Sequence, residues 1–167
     1  VGSVLLVFIY LCYVHDITSL VESVLTVKCK LKPDSVQAEA LQATAELFAA
    51  GCNAALKLAR EHSEFRRFKL HHLAYPVLRD MGLSANLAVQ AVARVGKRKG
   101  SRVGGFKVGS VTYDQRTLSM NSETENVSLT TTAGRLKIPM HIGNYQRHLI
   151  RTAVSCQGGQ LVKDKTG

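Results

Sequence analysis

The sequence predicts an α+β protein: a small antiparallel β-barrel with a three-helix insertion after its first strand. Three observations predict it. Residues 25–32, LTVKCKLK, alternate apolar and polar without a break, residues 33–96 carry apolar side chains at helical steps, and beyond Val108 short β-type runs alternate with turn-formers. Period two with one apolar face is the pattern of a half-buried strand, and period 3.6 that of an amphipathic helix. A helical block spliced between strands that share one core satisfies both patterns at once.

The first fourteen residues, VGSVLLVFIYLCYV, are nearly all apolar and stop at His15-Asp16. That run is shorter than the ~20 residues that span a bilayer as a helix, and it lacks the basic flank and small-residue cleavage site of a secretory signal. It has three readings: a membrane anchor, a buried segment, or translated sequence upstream of the true start. Residues 1–22 are set apart as a leader. The β unit is then expected over 23–32 and 108–167, with the helical insertion over 33–107.

In the first expected strand Leu25, Val27, Cys29 and Leu31 point one way, and Thr26, Lys28, Lys30 and Lys32 the other. Pro33 ends it. Asp34 followed by Gln37 has the spacing of a capping box, and Leu41, Ala45, Phe48, Cys52, Ala55 and Ala59 then lie along one face of a helix reaching about Arg60. Gly51 within that face costs about 1 kcal/mol relative to alanine, which predicts a close approach by a neighbouring helix. A second helix is expected from Lys69 to Met81, closed by Gly82 and kinked or divided by Pro76. His71 and His72 are adjacent and cannot clasp one metal as an i, i+4 pair does; they read as surface or groove residues. Ser84 is the expected N-cap of a third helix whose apolar side is Leu87, Ala88, Ala91, Val92 and Val95.

That third helix ends in a run of cations. Arg94, Lys97, Arg98, Lys99 and Arg102 occupy its last turn and the glycine-rich stretch that follows. The helix macrodipole favours cations there, but five in nine residues exceed what a dipole needs, and glycines let such a loop follow a phosphate chain. The wider balance agrees. The 167-residue chain carries a formal net charge of +10, and between Arg60 and Lys107 eleven Lys or Arg face three acids, so this stretch holds +8 of it. An excess of that size on a small protein favours polyanions, nucleic acid first and acidic membrane second. With 46% hydrophobic and 20% charged residues the chain is not a disordered one.

From Val108 onward SVTYDQRTLSM, NVSLTT, GRLKIPMHIG and GGQLVKDKTG are the expected strands. Leu136, Ile138, Met140 and Ile142 alternate inward, while Pro139 sits on the outer row and predicts an edge or a bulge, since proline cannot donate to a ladder. NYQRHLIRTA between the last two runs predicts a short helix capped by Asn144. The closing KDKTG has turn chemistry but no return strand, which reads as a fragment. Cys12, Cys29, Cys52 and Cys156 are scattered, with no metal-ligand spacing; four could make two disulfides, but Cys29 and Cys52 fall on core faces, so reduced thiols in a cytoplasmic protein are the preferred reading.

Taken in order, the strand ending in LKP, the helix through CNAAL, the GLSANLAVQAVARV helix, VTYDQRTLSM, VSLTTTAGRLKIPM and GGQLVKDKTG resemble the N-terminal half of TnpB-type RNA-guided nucleases. These transposon-encoded proteins, described as putative transposases, are related to the compact type V CRISPR effectors. The resemblance covers about Leu25 to Gly167 and has no counterpart to the apolar leader, which makes translated upstream sequence the preferred reading of residues 1–22. It implies a wedge-like barrel and a helical recognition insertion that together hold guide RNA, the guide–target heteroduplex and a short target-adjacent DNA motif. It also implies that the RuvC-like nuclease domain with its divalent metal, and the zinc-binding insertion, belong to a missing half, so no catalysis, no cofactor and no catalytic residue are expected here.

By that resemblance Ser84, Asn86, Gln90 and Thr112 are candidates for contact with the target-adjacent duplex. Asn and Gln pair bidentately with adenine, although Ser84 and Asn86 equally suit helix capping. Arg94, Lys97, Arg98, Lys99, Arg102 and Lys107 are expected to bind nucleic acid through phosphate. Tyr113 and Tyr145 have two readings, stacking on an unpaired base or packing against the barrel. Two rival readings stay open: a small membrane-anchored basic protein using the leader, and a transposon remnant without function.

Overall fold

The structure, a computed structural model, describes the backbone of residues 6–15, 22–99 and 104–163, and the side chains of 26–99, 104–153 and 158–163. The described chain is α+β. Strands β1 (Leu6–His15) and β2 (Glu22–Leu31) precede helices α1 (Ser35–Glu61), α2 (Arg67–Asp80) and α3 (Ala85–Gly96). Strands β3 (Ser110–Asp114), β4 (Leu118–Asn121), β5 (Asn126–Thr131) and β6 (Gly134–His141), helix α4 (Asn144–Thr152) and strand β7 (Ala153–Lys163) follow.

The strands form one antiparallel sheet in the order β3-β7-β1-β2-β6-β5-β4. β3 and β4 lie at its two ends, yet only residues 115–117 separate them in the chain. The sheet therefore curls until its ends approach, a half-barrel whose β3 and β4 edges are not paired with each other.

Leu6–His15, set apart as a leader in the sequence reading, pairs with β2 along its whole length and with β7 on its other side. A strand between two partners has no polar edge to present to water, and its sequence is rich in β-branched and aromatic residues, which favour that setting. In β2 the alternation holds where side chains are described: Val27, Cys29 and Leu31 are buried and Lys28, Lys30 and Lys32 exposed. β6 is interior in the strand order, but its β2 flank is paired only at Lys30–His141 and Leu31–Met140. There Lys32 N donates to the carbonyl of Pro139 at 2.7 Å. Proline has no N–H to return, so the ladder stops at that pair and the rest of that flank of β6 behaves as an edge.

α1 is the spine that joins sheet and helices. Its capping box forms: Gln37 N donates to Asp34 Oδ1 at 2.8 Å, and Asp34 N donates to Gln37 Oε1 at 3.2 Å. Gln37 Nε2 then donates to the open carbonyl of Lys137 on β6 at 3.0 Å. One stretch along, Thr44 Oγ1 accepts from Thr132 N at 3.0 Å in the β5–β6 turn. Further on, Asn53 clamps Phe106, accepting from its N–H at 2.7 Å and donating to its carbonyl at 2.9 Å. Along the same helix Leu41, Phe48, Cys52, Ala55, Leu56 and Ala59 are buried, and each large apolar chain among them contributes about 1.5–3 kcal/mol on leaving water.

The approach predicted at Gly51 is made by Leu83, in the α2–α3 turn, and by Leu78 of α2: a Cβ on Gly51 would stand 2.4 Å from Leu83 Cδ1 and 3.2 Å from Leu78 Cδ2. α2 is continuous through Pro76 and starts at Arg67, two residues earlier than expected. Proline gives up only the hydrogen bond to the carbonyl of His72, and the buried stripe Leu70, Ala74, Leu78 holds the helix in one piece. Gly82 closes it at φ +96°. α4 is capped at Gly143, not Asn144: Gly143 N donates to Gln146 Oε1 at 3.1 Å, while Asn144 Oδ1 accepts from Arg147 instead.

Candidate nucleic-acid interface

α3 presents its buried stripe, Leu87, Ala88, Ala91, Val92 and Val95, to α1 and α2, which leaves its other side facing β3, with Gln160 of β7 beside it. Two hollows run down that side and meet at Gln90. The first, about 440 Å³, is lined by Arg67, Asn86, Val89, Gln90, Asp114, Gln115 and Arg116. The second, about 430 Å³, is lined by Gln90, Ala93, Arg94, Lys97, Arg98, Thr112 and Gln160. Together they make one open, polar groove about three helical turns long.

Gln90 sits at the junction and is oriented there, its Nε2 donating to Asp114 Oδ2 at 3.2 Å. Asp114 ends β3 and is itself held on several sides. Its Oδ1 accepts from Arg116 N at 3.0 Å, Thr117 N at 3.0 Å and Thr117 Oγ1 at 2.9 Å. Partial burial pushes the Asp114 pKa up, but these bonds and the one from Gln90 outweigh it, and the net position is below the ordinary carboxylate range. The carboxylate is thus an ionised, fixed acceptor at the centre of the groove's first half.

Arg94 turns inward. Its Nη1 donates to the Ser110 carbonyl at 2.8 Å, its Nη2 to Ser110 Oγ, and its guanidinium lies 5.5 Å from the Phe48 ring centroid. Half-buried, it fastens β3 to α3 and forms part of the groove floor. Lys97, Arg98 and Lys99 are exposed at the helix end, Arg98 resting over the Phe106 ring at 5.9 Å. The Asn53 clamp on Phe106 thereby also steadies Arg98.

Of the ten residues expected to meet nucleic acid, Asn86, Gln90, Arg94, Lys97, Arg98 and Thr112 come together in this groove. Ser84 does not line it: its Oγ accepts from Leu87 N at 3.5 Å as an N-cap. Lys99 and Lys107 are exposed beyond the lining residues, and Arg102 lies outside the described residues. Tyr113 is 2% exposed and belongs to the core, where burial raises its phenol pKa, while Tyr145 is 68% exposed on α4. Sequence reasoning missed Arg67, Asp114, Arg116 and Gln160, all brought to the groove by pairings distant in sequence. The D-Q-R-T stretch at 114–117, a turn signature, was the available signal for Asp114.

β7 reaches the groove because Gly158 lets β3 close on it. Gly158 is opposite Asp114 at φ +136°, and a Cβ there would stand 2.5 Å from the Tyr113 carbonyl oxygen. Only glycine accepts both the backbone angle and the approach.

Among the described residues no three His, Cys, Asp or Glu converge to hold a metal ion, and no helix is long and apolar enough to cross a membrane. Cys29 and Cys52 are free thiols in the core, and burial pushes each pKa up to about 11. Compared with known proteins, the chain matches no family model, no curated protein and no solved structure.

Proposed function

We propose that this chain binds nucleic acid through the α3 groove, as the wedge and recognition portion of a TnpB-like RNA-guided nuclease acting in the cytoplasm. The observation that carries the reading is the groove's composition: Asn86, Gln90 and the Asp114 carboxylate with Arg67 and Arg116 at one end, and Arg94, Lys97 and Arg98 at the other, along a helix inserted into a curled β-sheet. Lys97, Arg98 and Lys99 neutralise phosphate. Asn86 and Gln90 are the amides that read base edges, Gln90 held in position by Asp114. Arg94 holds the groove floor together. The curled sheet serves as the wedge-like barrel of the resemblance, and the partners are guide RNA and target-adjacent DNA. The role assigned to these residues is binding and positioning, with strand cleavage assigned to none of them.

The test is affinity for a structured RNA across a salt series. We expect log Kd to rise steeply with log salt, and the triple substitution Lys97→Glu, Arg98→Glu, Lys99→Glu to weaken binding by about a hundredfold and flatten the slope by about 2–3. A wild-type affinity that ignores salt would overturn the reading.

A further inference from the structure

The outward face of α2 carries a row of rings that the α3 groove does not use. α2 buries Leu70, Ala74 and Leu78, and Phe68, His71, His72 and Tyr75 run from the flank of that stripe, where His71 and Tyr75 are half-buried, to its far side, where Phe68 and His72 are exposed, at helical steps of three and four. Phe68 is 76% exposed, an unusual position for the second residue of a helix to place a phenyl ring. It meets His72 edge-on at 4.7 Å between centroids. His71 contacts His72 at 6.0 Å and lies nearly parallel to Tyr75 at 4.6 Å, 24° between planes. Tyr75 is half-buried and packs against the core, so the row has a rigid back and an open front.

Charge decides what such a face suits. From Arg66 to Arg79 there are four Arg or Lys and no acid. Arg66 is taken up by Glu64, whose carboxylate accepts from its backbone N–H and its guanidinium, and Arg79 donates to the Leu83 carbonyl. Arg67 and Lys69 remain exposed on either side of Phe68. Arg67 also lines the first hollow of the groove beside Asn86 and Gln90. Arg67, next to Phe68 in the chain, is thus a cation that belongs to the groove's lining at the start of the helix that carries the rings.

We propose that Phe68, His72, His71 and Tyr75 form a stacking platform for unpaired nucleotides of a strand that leaves the α3 groove past Arg67. This rests on the nucleic-acid reading above and adds a ligand class to it. Rings offer faces and edges to bases, and flanking cations track the backbone; the combination is tolerant of sequence and selective for unpaired bases. Bases inside a duplex have their faces covered by their neighbours and cannot use it.

The experiment compares single-stranded RNA, single-stranded DNA of the same sequence and a blunt duplex of equal length, by fluorescence anisotropy on the full chain, with 2-aminopurine in the strands to report stacking. For Phe68→Ala with His72→Ala we expect about a tenfold loss for a single strand, lost 2-aminopurine quenching, and duplex affinity within about twofold of wild type. Phe68→Tyr should retain the single-strand affinity. Both positions are exposed, so the melting temperature should not move. Loss in the RNA arm, the DNA arm or both supports the platform and tells which strand it takes. Equal effects on single strands and duplex, or none, would overturn it while leaving the groove intact, because the triple glutamate variant would still lose affinity. A wild-type chain that binds none of the three would overturn both proposals.

Discussion

The outer faces of α2 and α3 belong to one helical insertion and differ in how they meet water. α3 offers amides and cations along a groove closed on its far side by β3 and Gln160 of β7; α2 offers rings on an exposed surface. Each helix commits its opposite stripe to the same core, Leu70, Ala74 and Leu78 on one, Leu87, Ala91 and Val95 on the other. A shared core thus fixes two unlike surfaces at a constant offset, and Arg67 of α2 lines the groove of α3. The charge surplus of the insertion is not spread evenly: Lys97, Arg98 and Lys99 stand exposed together at the end of α3, where we propose phosphate contact, and rings gather on α2, where we propose contact with base faces.

The largest way to break the contrast is the triple glutamate change at Lys97, Arg98 and Lys99, which should weaken single strands and duplex alike, by about a hundredfold at moderate salt. Gly158→Ala acts next, and on the groove alone. Its Cβ would meet the Tyr113 carbonyl and its φ is unfavourable for alanine, so we expect about 2–3 kcal/mol of destabilisation in urea unfolding. In the folded fraction β3 should loosen from β7, so that groove binding weakens while stacking on α2 persists. Gly51→Ala disturbs the core beneath both faces. The overlap with Leu83 and Leu78 costs about 1–3 kcal/mol, against which alanine recovers about 1 kcal/mol of helix propensity. The net expectation is a loss of about 1 kcal/mol, seen as a lower melting temperature with both binding modes weakened together.

The smallest effect sharpens one point in the groove. Because the Asp114 pKa is lowered in the fold, its contribution is fully present above the ordinary carboxylate pKa of about 4 and is lost as pH falls through the depressed folded value. The stability difference between wild type and Asp114→Asn should therefore hold steady from pH 7 to about pH 5 and shrink on further acidification. A difference that does not change with pH would mean that ionised Asp114 does not organise the groove.

Much of the insertion was legible because helical signals are local. Asp34 with Gln37, the Ser84 cap, Gly82 and the apolar stripes each lie within a turn or two of the residues they act on. The cation cluster after α3 was legible for the same reason. What stayed hidden depends on contacts between distant parts of the chain. Nothing near Arg94 in sequence says that Ser110 and Phe48 will draw it inward, and nothing near Gln37 says that Lys137 needs a donor. The place of Leu6–His15 in the sheet was obscured by its composition: a strand covered on both flanks and rich in apolar residues has no alternation to betray it, and a short apolar run suits several structures. Phe68 was hidden by its company, since a phenyl ring two residues from a leucine stripe looks like core until the helix phase is known.

The most direct test of the groove is photo-crosslinking of a 4-thiouridine-substituted RNA to the intact chain, with the joined peptides located by mass spectrometry. The account predicts adducts on the peptides that carry Asn86, Gln90, Lys97 and Thr112, lost on adding unlabelled competitor. Adducts confined to α4 and the β4–β5 side of the sheet would contradict it.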